Sequence, residues 1–440
     1  MTGTLTVGVH HLDTPATQEF HRRRQLAIRI LSSASLIFLG ALSGLQVMGY
    51  TVTLFSGVCL LIAPALLLQQ TTLGDRLVIT IALVGFGAFL ISSQINDTSW
   101  FDQRVVQWGS FAVYFVGILV FASGELHRIF ALAAGVSLGA CLYFTTAGLP
   151  ALGAPSLESF WKYAYAPWAT LLGLYALIVL RISMRIQAIS LIALSGFSLA
   201  LNYRSHALVC LAAAAILLVT EYSNGRIPRW FQLVLVGGIG MACAKAIPVI
   251  AMSGIAGQAV KEKTELQTSS GVPAILAGRT EPPLSVSAIT ERPLFGWGSA
   301  NNITDEVLAR AEKLAVSLGF DPTLNLKMSW HLPNGDTSLH STLFNAWAEG
   351  GVIAAVLPIS LLIMAAIIIW NSPRYGNWSA MAVAMAVQAG WDLLFSPTSY
   401  NILTIYAVLA AVFTARHLRS RETVLHLPLR GQTNTIGTLT

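Results

Sequence analysis

Charged residues are scarce in this sequence. Only 10% of its 440 residues are Asp, Glu, Lys or Arg, whereas a soluble domain carries roughly 25%. Hydrophobic residues make up 55% of the chain. This balance excludes an ordinary soluble globule and argues against disorder. It predicts a polytopic membrane protein, because one transmembrane helix needs about 20 apolar residues.

Several motifs of catalysis and nucleotide binding are also missing. The sequence contains no Walker loop, no dinucleotide-binding glycine fingerprint, no HExxH and no GxSxG. We therefore expect any chemistry outside a membrane to use a pre-activated donor rather than ATP. The four cysteines form no CxxC pair and lie in apolar runs, which indicates core residues: Cys59, Cys141, Cys210 and Cys243.

Apolar runs predict an all-α protein with about twelve transmembrane helices. Twelve spans place both termini on the same side of the membrane. Spans are expected near 27–48, 51–69, 77–95, 106–123, 127–147, 161–180, 184–202, 205–220, 230–250, 341–370, 377–395 and 399–416.

The distribution of arginine predicts on which side of the membrane the two termini lie. Cytoplasmic flanks of membrane helices hold an excess of Lys and Arg. One set of flanks holds Arg22, Arg23, Arg24, Arg76, Arg128, Arg181, Arg185, Arg226, Arg229, Arg374, Arg416, Arg419 and Arg421; the other short loops hold only Arg104, Lys162 and Arg204. Both termini are therefore predicted to be cytoplasmic. The net charge of +6 then reflects membrane topology, and we expect no nucleic-acid partner.

The predicted organisation has four parts. Residues 1–250 hold the first nine spans, 251–340 form a large external segment, 341–416 hold the last three spans, and 417–440 are a cytoplasmic tail. Within the external segment, helical spacing of apolar residues predicts an amphipathic helix over 303–318. Its apolar face could meet either protein or lipid. The Gly-, Ser-, Thr- and Pro-rich stretch 264–283 is predicted to be loop.

Three arginines break the charge bias because they lie on the external side. Arg204 falls between two apolar runs, and it is either a helix-end arginine reaching water or a ligand-binding group. Arg279 and Arg292 lie in the external segment. Either could be a solvated loop charge, and Glu291 is a ready partner for Arg292. Arginine also binds phosphate through two parallel hydrogen bonds, so converging arginines would bind pyrophosphate.

His340 and Asp392 are the other candidate site residues. His340 precedes the tenth span, where it is either an interfacial polar residue or a general base at a helix start that favours anions. Asp392 lies near the outer end of the eleventh span, and a carboxylate there is a candidate functional group. It could reach water, pair with an external arginine or orient His340. His331 and His340 fit no common metal-ligand spacing, so we expect no metal site.

The external residues together resemble the O-antigen ligase family, which shares its fold with the O-antigen polymerases and bacterial O-oligosaccharyltransferases. The match covers residues 190–410. It consists of the late external segment, Arg204, the stretch from Arg279 through Ala288-Ile289 to Pro293-Leu294-Phe295-Gly296-Trp297-Gly298, and His340-Ser341 followed by Gly351 after nine residues.

This resemblance implies a GT-C-like glycosyltransferase of the bacterial inner membrane with a periplasmic active site. The donor would be a glycan on undecaprenyl pyrophosphate, and the acceptor a sugar hydroxyl of lipid A–core. Arg204 and Arg279 would bind the pyrophosphate, and His340 would remove or orient the acceptor proton. Asp392, Arg292 and Ser341 would support them. The reaction would invert the anomeric centre and need no cofactor, metal or nucleotide.

Three alternatives stay open. A polymerase would join two lipid-linked repeats, and an O-oligosaccharyltransferase would use a protein Ser or Thr as acceptor. Both are similar in their motifs to the ligase. A lipid or polysaccharide transporter belongs to a different class, and it predicts functional polar residues along the helices with no essential external histidine.

Overall fold

The computed structural model describes residues 30–47, 52–149, 156–223, 279–332, 335–397 and 402–415, together with isolated residues between 227 and 265. The regular elements in these ranges are helices, and β structure there is limited to two isolated bridges, Gln46–Thr53 and His331–Thr337. The all-α prediction is therefore confirmed.

The helices follow one another in a simple order. A short helix, Leu157–Phe160, and a π-helical turn, Trp161–Tyr165, lead into α6. The named helices are α1 (Ile30–Gly44), α2 (Leu54–Ile62), α3 (Leu73–Ile95), α4 (Gln103–Ala122), α5 (Leu126–Ala147), α6 (Ala166–Val179), α7 (Met184–Ala200), α8 (Arg204–Ser223), α9 (Glu281–Glu291), α10 (Asp305–Ser317), α11 (Leu326–Trp330), α12 (Thr342–Trp370), α13 (Ser379–Phe395) and α14 (Ile402–Thr414).

Six helical segments among the described residues are long and apolar enough to cross a membrane. They are α3, α4, α5, α8, α12 and Ser372–Phe395, which joins a short 3-10 turn to α13. Shorter apolar helices include α1, α7 and α14. The protein is thus membrane-embedded, while the count of twelve spans stays a prediction. Most of the ninth predicted span, the N-terminal arginines, Cys243 and the tail 417–440 lie outside the described residues.

Helix α14 lies at the centre of the bundle. Every residue from Ile402 to Val412 is buried, and the helix packs against α4, α5, α12 and α13. A helix that is apolar on all sides is stable only where other helices surround it. This central position fixes the first turn of α14 beneath the site described below.

The external segment has its own small core. Val307, Ala311 and Ala315 of α10 pack with Trp297, Trp330 and residues of α9. The predicted amphipathic helix is therefore confirmed, and its apolar face meets protein. The loop prediction was wrong at its end, because α9 begins at Glu281. Pro282 and Pro283 occupy its first turn, where a missing N–H costs no hydrogen bond. Residues 266–278 of that stretch lie outside the described residues.

The glycine-rich stretch Pro293–Gly298 docks directly on the backbone of α12. Trp297 N–H donates to the Ala348 carbonyl at 2.8 Å, and Val352 N–H donates to the Pro293 carbonyl at 2.9 Å. Gly351 interrupts the helix with φ +77°, and a Cβ there would collide with the Leu294 carbonyl. Only glycine allows both this conformation and this approach. The Pro-Leu-Phe-Gly-Trp-Gly and His-Ser-x9-Gly patches are thus two sides of one junction.

A buried ion pair secures the same junction. The Glu349 side chain is 1% exposed, and its carboxylate lies 2.7 Å from Arg104 Nε at the start of α4. It also accepts hydrogen bonds from Ala300 N at 3.0 Å and Asn345 Nδ2 at 2.8 Å. A buried charge needs this degree of pairing. The contacts hold the external segment, α4 and the start of α12 in one arrangement.

Candidate active site

A cavity of about 300 Å³ opens where several helix ends meet. Its lining comes from the end of α5, the π-helical turn, the starts of α6, α8 and α14, the end of α13, and the residues just before α9 and α12. These ends lie together at one end of the bundle. Aromatic and aliphatic side chains form most of the wall, among them Phe144, Trp168, Trp391, Phe395 and Ile405.

The cavity brings together three of the six residues singled out from the sequence. His340, Arg279 and Asp392 all line it, although 113 positions separate Arg279 from Asp392 in the chain. Arg204 is not among the lining residues, while its neighbours Tyr203 and Ser205 are.

His340 is paired with a carboxylate. Its Nδ1 lies 3.1 Å from Glu281 Oε1 and 3.1 Å from Ser338 Oγ. The imidazole is 37% exposed and the Glu281 side chain 14%. A carboxylate at Nδ1 favours the tautomer that carries its proton there, which leaves Nε2 as a proton acceptor. The pair therefore has the arrangement of an oriented general base.

The backbone at His340 is strained. Its φ is +46°, in the left-handed region that residues with a Cβ rarely adopt. Such conformations persist where surrounding contacts enforce them, and they cluster at functional sites. The following residue, Ser341, begins α12: its Oγ accepts from Phe344 N at 3.2 Å and donates to the Leu393 carbonyl at 3.1 Å. Ser341 thus fixes the chain direction immediately after the histidine.

Arg279 is held against the end of α13. Its Nη1 donates to the Phe395 carbonyl at 2.6 Å, and its guanidinium lies 4.8 Å from the Phe395 ring centroid and 5.5 Å from that of Trp391. Burial lowers the pKa of Arg279, and the nearby Glu281 carboxylate opposes that shift. An arginine remains charged in spite of such a shift. The cavity therefore contains a permanent, partly desolvated cation.

Residues 279–281 form a short segment that places both Arg279 and Glu281. Trp330 Nε1 donates to the Thr280 carbonyl between them at 2.7 Å, and Trp330 itself is fully buried in the external core. The position of the cation and of the carboxylate therefore depends on the packing of the external segment.

Asp392 takes its hydrogen bonds from its own part of the chain. Gln388 Nε2 donates to Oδ2 at 2.9 Å, and Ser396 Oγ donates to Oδ1 at 2.8 Å. The sequence leaves three roles open for Asp392, which are to reach water, to pair with an external arginine or to orient His340; the carboxylate beside the histidine is Glu281. Asp392 instead presents a hydrogen-bonded carboxylate to the cavity. Its electrostatic influence reaches Tyr203, whose pKa is raised by burial and by Asp392.

Arg292 lies apart from the cavity lining. It is exposed, its Nη1 donates to Asn96 Oδ1 at 2.6 Å, and its guanidinium lies 4.0 Å from the Trp297 ring centroid. Glu291, the partner considered for it, pairs with Arg310 at 2.8 Å. Arg292 thus joins the external segment to the end of α3.

Sequence reasoning missed two polar residues of the site. Glu281 lies two positions after Arg279, in a stretch interpreted as loop. Lys162 lines the cavity from the π-helical turn, and it is the only lysine among the first 244 residues. That isolation on the arginine-poor side was an available signal. Turns of π-helix often mark functional positions.

Within the described residues, no group of three or more His, Cys, Asp and Glu side chains is placed to hold a metal ion. Comparisons with protein-family models, curated proteins and solved structures give no match.

Proposed function

We propose that the chain is an O-antigen ligase of the bacterial inner membrane. It transfers a glycan from undecaprenyl pyrophosphate to a sugar hydroxyl of lipid A–core on the periplasmic side. One observation carries this proposal: His340, which Glu281 contacts at Nδ1, and the Arg279 guanidinium line a single cavity at one end of an apolar helical bundle. A base and a cation close together suit a hydroxyl nucleophile and an anionic leaving group.

The reaction is a single displacement. The acceptor oxygen forms a bond to the anomeric carbon as the bond between that carbon and the pyrophosphate oxygen breaks. The hydroxyl proton passes to His340 Nε2, and the bonding electrons leave with the lipid pyrophosphate. Attack from the face opposite the leaving group inverts the anomeric centre. Glu281 holds the imidazole and stabilises its charged form, as the carboxylate of a catalytic triad does.

The two arginines act on the donor. Arg279 stabilises the charge that develops on the leaving pyrophosphate, and its partly desolvated setting strengthens that interaction. Arg204 stays a proposed second phosphate ligand, because the residues on either side of it line the cavity. A lipid pyrophosphate leaves readily as an anion, so the proposed reaction needs neither nucleotide nor metal.

The proposed topology has both termini in the cytoplasm and twelve spans. The arginine bias supports it, because Arg128, Arg181 and Arg374 lie at helix ends away from those that form the cavity. This distribution supports the proposal that the cavity faces the periplasm.

The alternatives differ in how well they suit the cavity. A polymerase or an O-oligosaccharyltransferase would use the same base and cations with a different acceptor. A transporter usually binds its substrate near the middle of the membrane. The carboxylate–imidazole pair instead lies at helix ends, which favours chemistry over transport.

Transfer in a purified system tests the proposal. Wild type, His340→Ala and Arg279→Ala would be supplied with lipid-pyrophosphate-linked glycan, lipid A–core and EDTA, without ATP. We expect wild type to transfer glycan, and His340→Ala to lose roughly 10²–10⁴-fold in rate. His331→Ala is the matched control and should retain activity, since His331 contacts Thr337 outside the cavity.

Other results would redirect the assignment. Full activity in His340→Ala would exclude the general-base role. Chain growth or protein glycosylation without transfer to lipid A–core would identify one of the sister activities. Absence of transfer to any acceptor by folded wild type would favour the transporter.

A further inference from the structure

Lys162 contributes a second cation to the cavity. It lies on the π-helical turn Trp161–Tyr165, and both it and Tyr163 line the cavity. Its ammonium lies 4.7 Å from the Tyr163 ring centroid. Tyr163 is 52% exposed, so the turn that carries Lys162 reaches the surface of the bundle, while the Arg279 guanidinium contacts the rings of Trp391 and Phe395.

These two cations lie near carboxylates but form no close ion pair with them. Within the described ranges, neither Lys162 nor Arg279 has a carboxylate within 4.0 Å. Asp392 lines the same cavity and accepts hydrogen bonds from Gln388 and Ser396, and Glu281 acts on Arg279 from beyond contact distance. A ligand with two negatively charged phosphates would give each cation the direct partner that the described residues do not supply.

We infer that Lys162 binds the lipid-side phosphate of the pyrophosphate donor, while Arg279 binds the phosphate attached to the sugar. This inference rests on the proposed function. Arg279 is two residues from Glu281, the partner of His340, so it is the cation near the bond that breaks. Lys162 lies on the turn that reaches the surface at Tyr163, and the polyprenyl chain must leave a cavity of about 300 Å³ at such a surface.

If Lys162 and Arg279 bind different phosphates, their substitution should change different kinetic constants. Charge develops on the sugar-side phosphate as its bond to carbon breaks, so Arg279 acts mainly in the transition state. The lipid-side phosphate carries nearly the same charge throughout the reaction. A contact of that kind stabilises ground and transition states equally, and its loss raises KM and leaves kcat unchanged.

The test combines donor binding with kinetics on the purified full chain. Binding of undecaprenyl pyrophosphate and of undecaprenol would be followed by tryptophan fluorescence, since Trp168 and Trp391 line the cavity. We expect Lys162→Met to weaken binding of the pyrophosphate lipid roughly tenfold or more. Donor KM should rise by a similar factor, with kcat, acceptor KM and undecaprenol binding unchanged. Lys162→Arg should restore most of the affinity.

Lys327→Met is the matched control, because Lys327 pairs with Asp305 at 3.5 Å outside the cavity. Unchanged donor KM in an active Lys162→Met protein would overturn the inference and leave the proposed function intact. Equal weakening of pyrophosphate and undecaprenol binding would also overturn it, because it would indicate a structural role. Failure of wild type to bind or transfer the pyrophosphate donor would instead refute the proposed function itself.

Discussion

Two arginines on the same side of the bundle, Arg104 and Arg279, lie in different environments. Arg104 contacts the fully buried Glu349 at 2.7 Å, and that carboxylate also accepts from Ala300 and Asn345. Arg279 lines a cavity and has no carboxylate within 4.0 Å among the described residues. The first cation has a carboxylate partner, whereas the second has a backbone carbonyl and two aromatic rings as its partners. We expect the partners of a charged group to distinguish structural from functional charges better than exposure or chain position does.

The difference also explains how the two regions depend on each other. The junction between Pro293–Gly298 and the start of α12 holds the external segment in place. That segment carries Thr280, whose carbonyl is bound by Trp330, and therefore positions Arg279 and Glu281 on either side of it. A well-paired junction of this kind can hold the neighbouring site in one arrangement.

The largest effect is expected from removal of Glu349, the carboxylate partner of Arg104. We expect Glu349→Ala to lower the free energy of unfolding by about 3–5 kcal/mol, because Arg104 loses its buried partner. Thermal unfolding in detergent measures the change. Glu306→Ala, at an exposed position in α10, is the control and should unfold like wild type. A Glu349→Ala protein of normal stability would show that the pair is not what holds the junction.

Much of the fold could be predicted from the sequence because long apolar runs have few alternatives in a membrane. His340, Arg279 and Asp392 were found for a related reason: each interrupts a simple pattern of apolar runs and arginine bias. The sequence does not single out three other charged residues, because their neighbours are brought close only by the tertiary fold: Glu281, Lys162 and Glu349. Glu349 in particular lies inside an apolar helix and finds its partner, Arg104, 245 positions earlier in the chain.

The glycine motifs are a second case in which the sequence does not reveal a tertiary contact. The two glycine patches could be recognised as motifs, but their spacing along the chain does not reveal that they touch. Only the structure shows that a Cβ at Gly351 would meet the Leu294 backbone, and one at Gly296 the Glu349 carbonyl. Both therefore serve the close approach of two backbones rather than phosphate binding.

A second test changes Glu281, the carboxylate beside His340. Glu281→Gln keeps the shape of the side chain but removes the charge beside His340. We expect kcat to fall roughly 10–100-fold, part of the contribution of a general base, with unfolding unchanged. Glu291→Gln, at the other end of α9 and paired with Arg310, should retain activity. A loss of stability without a specific loss of kcat would place Glu281 with the structural charges.

We expect the smallest effect from substitution of Arg292, because this residue belongs to the motif but does not line the cavity. It belongs to the stretch that carries the family resemblance, yet its guanidinium contacts Asn96 and Trp297 rather than the cavity. Arg292→Ala should cost about 1 kcal/mol of stability, the scale of one exposed hydrogen bond and one cation–π contact. Donor KM and kcat should change less than about twofold, since surface substitutions rarely exceed this scale. If a stably folded Arg292→Ala protein instead lost transfer activity, a cation satisfied by the protein would also serve the reaction, and partners alone would no longer distinguish the two classes of charge.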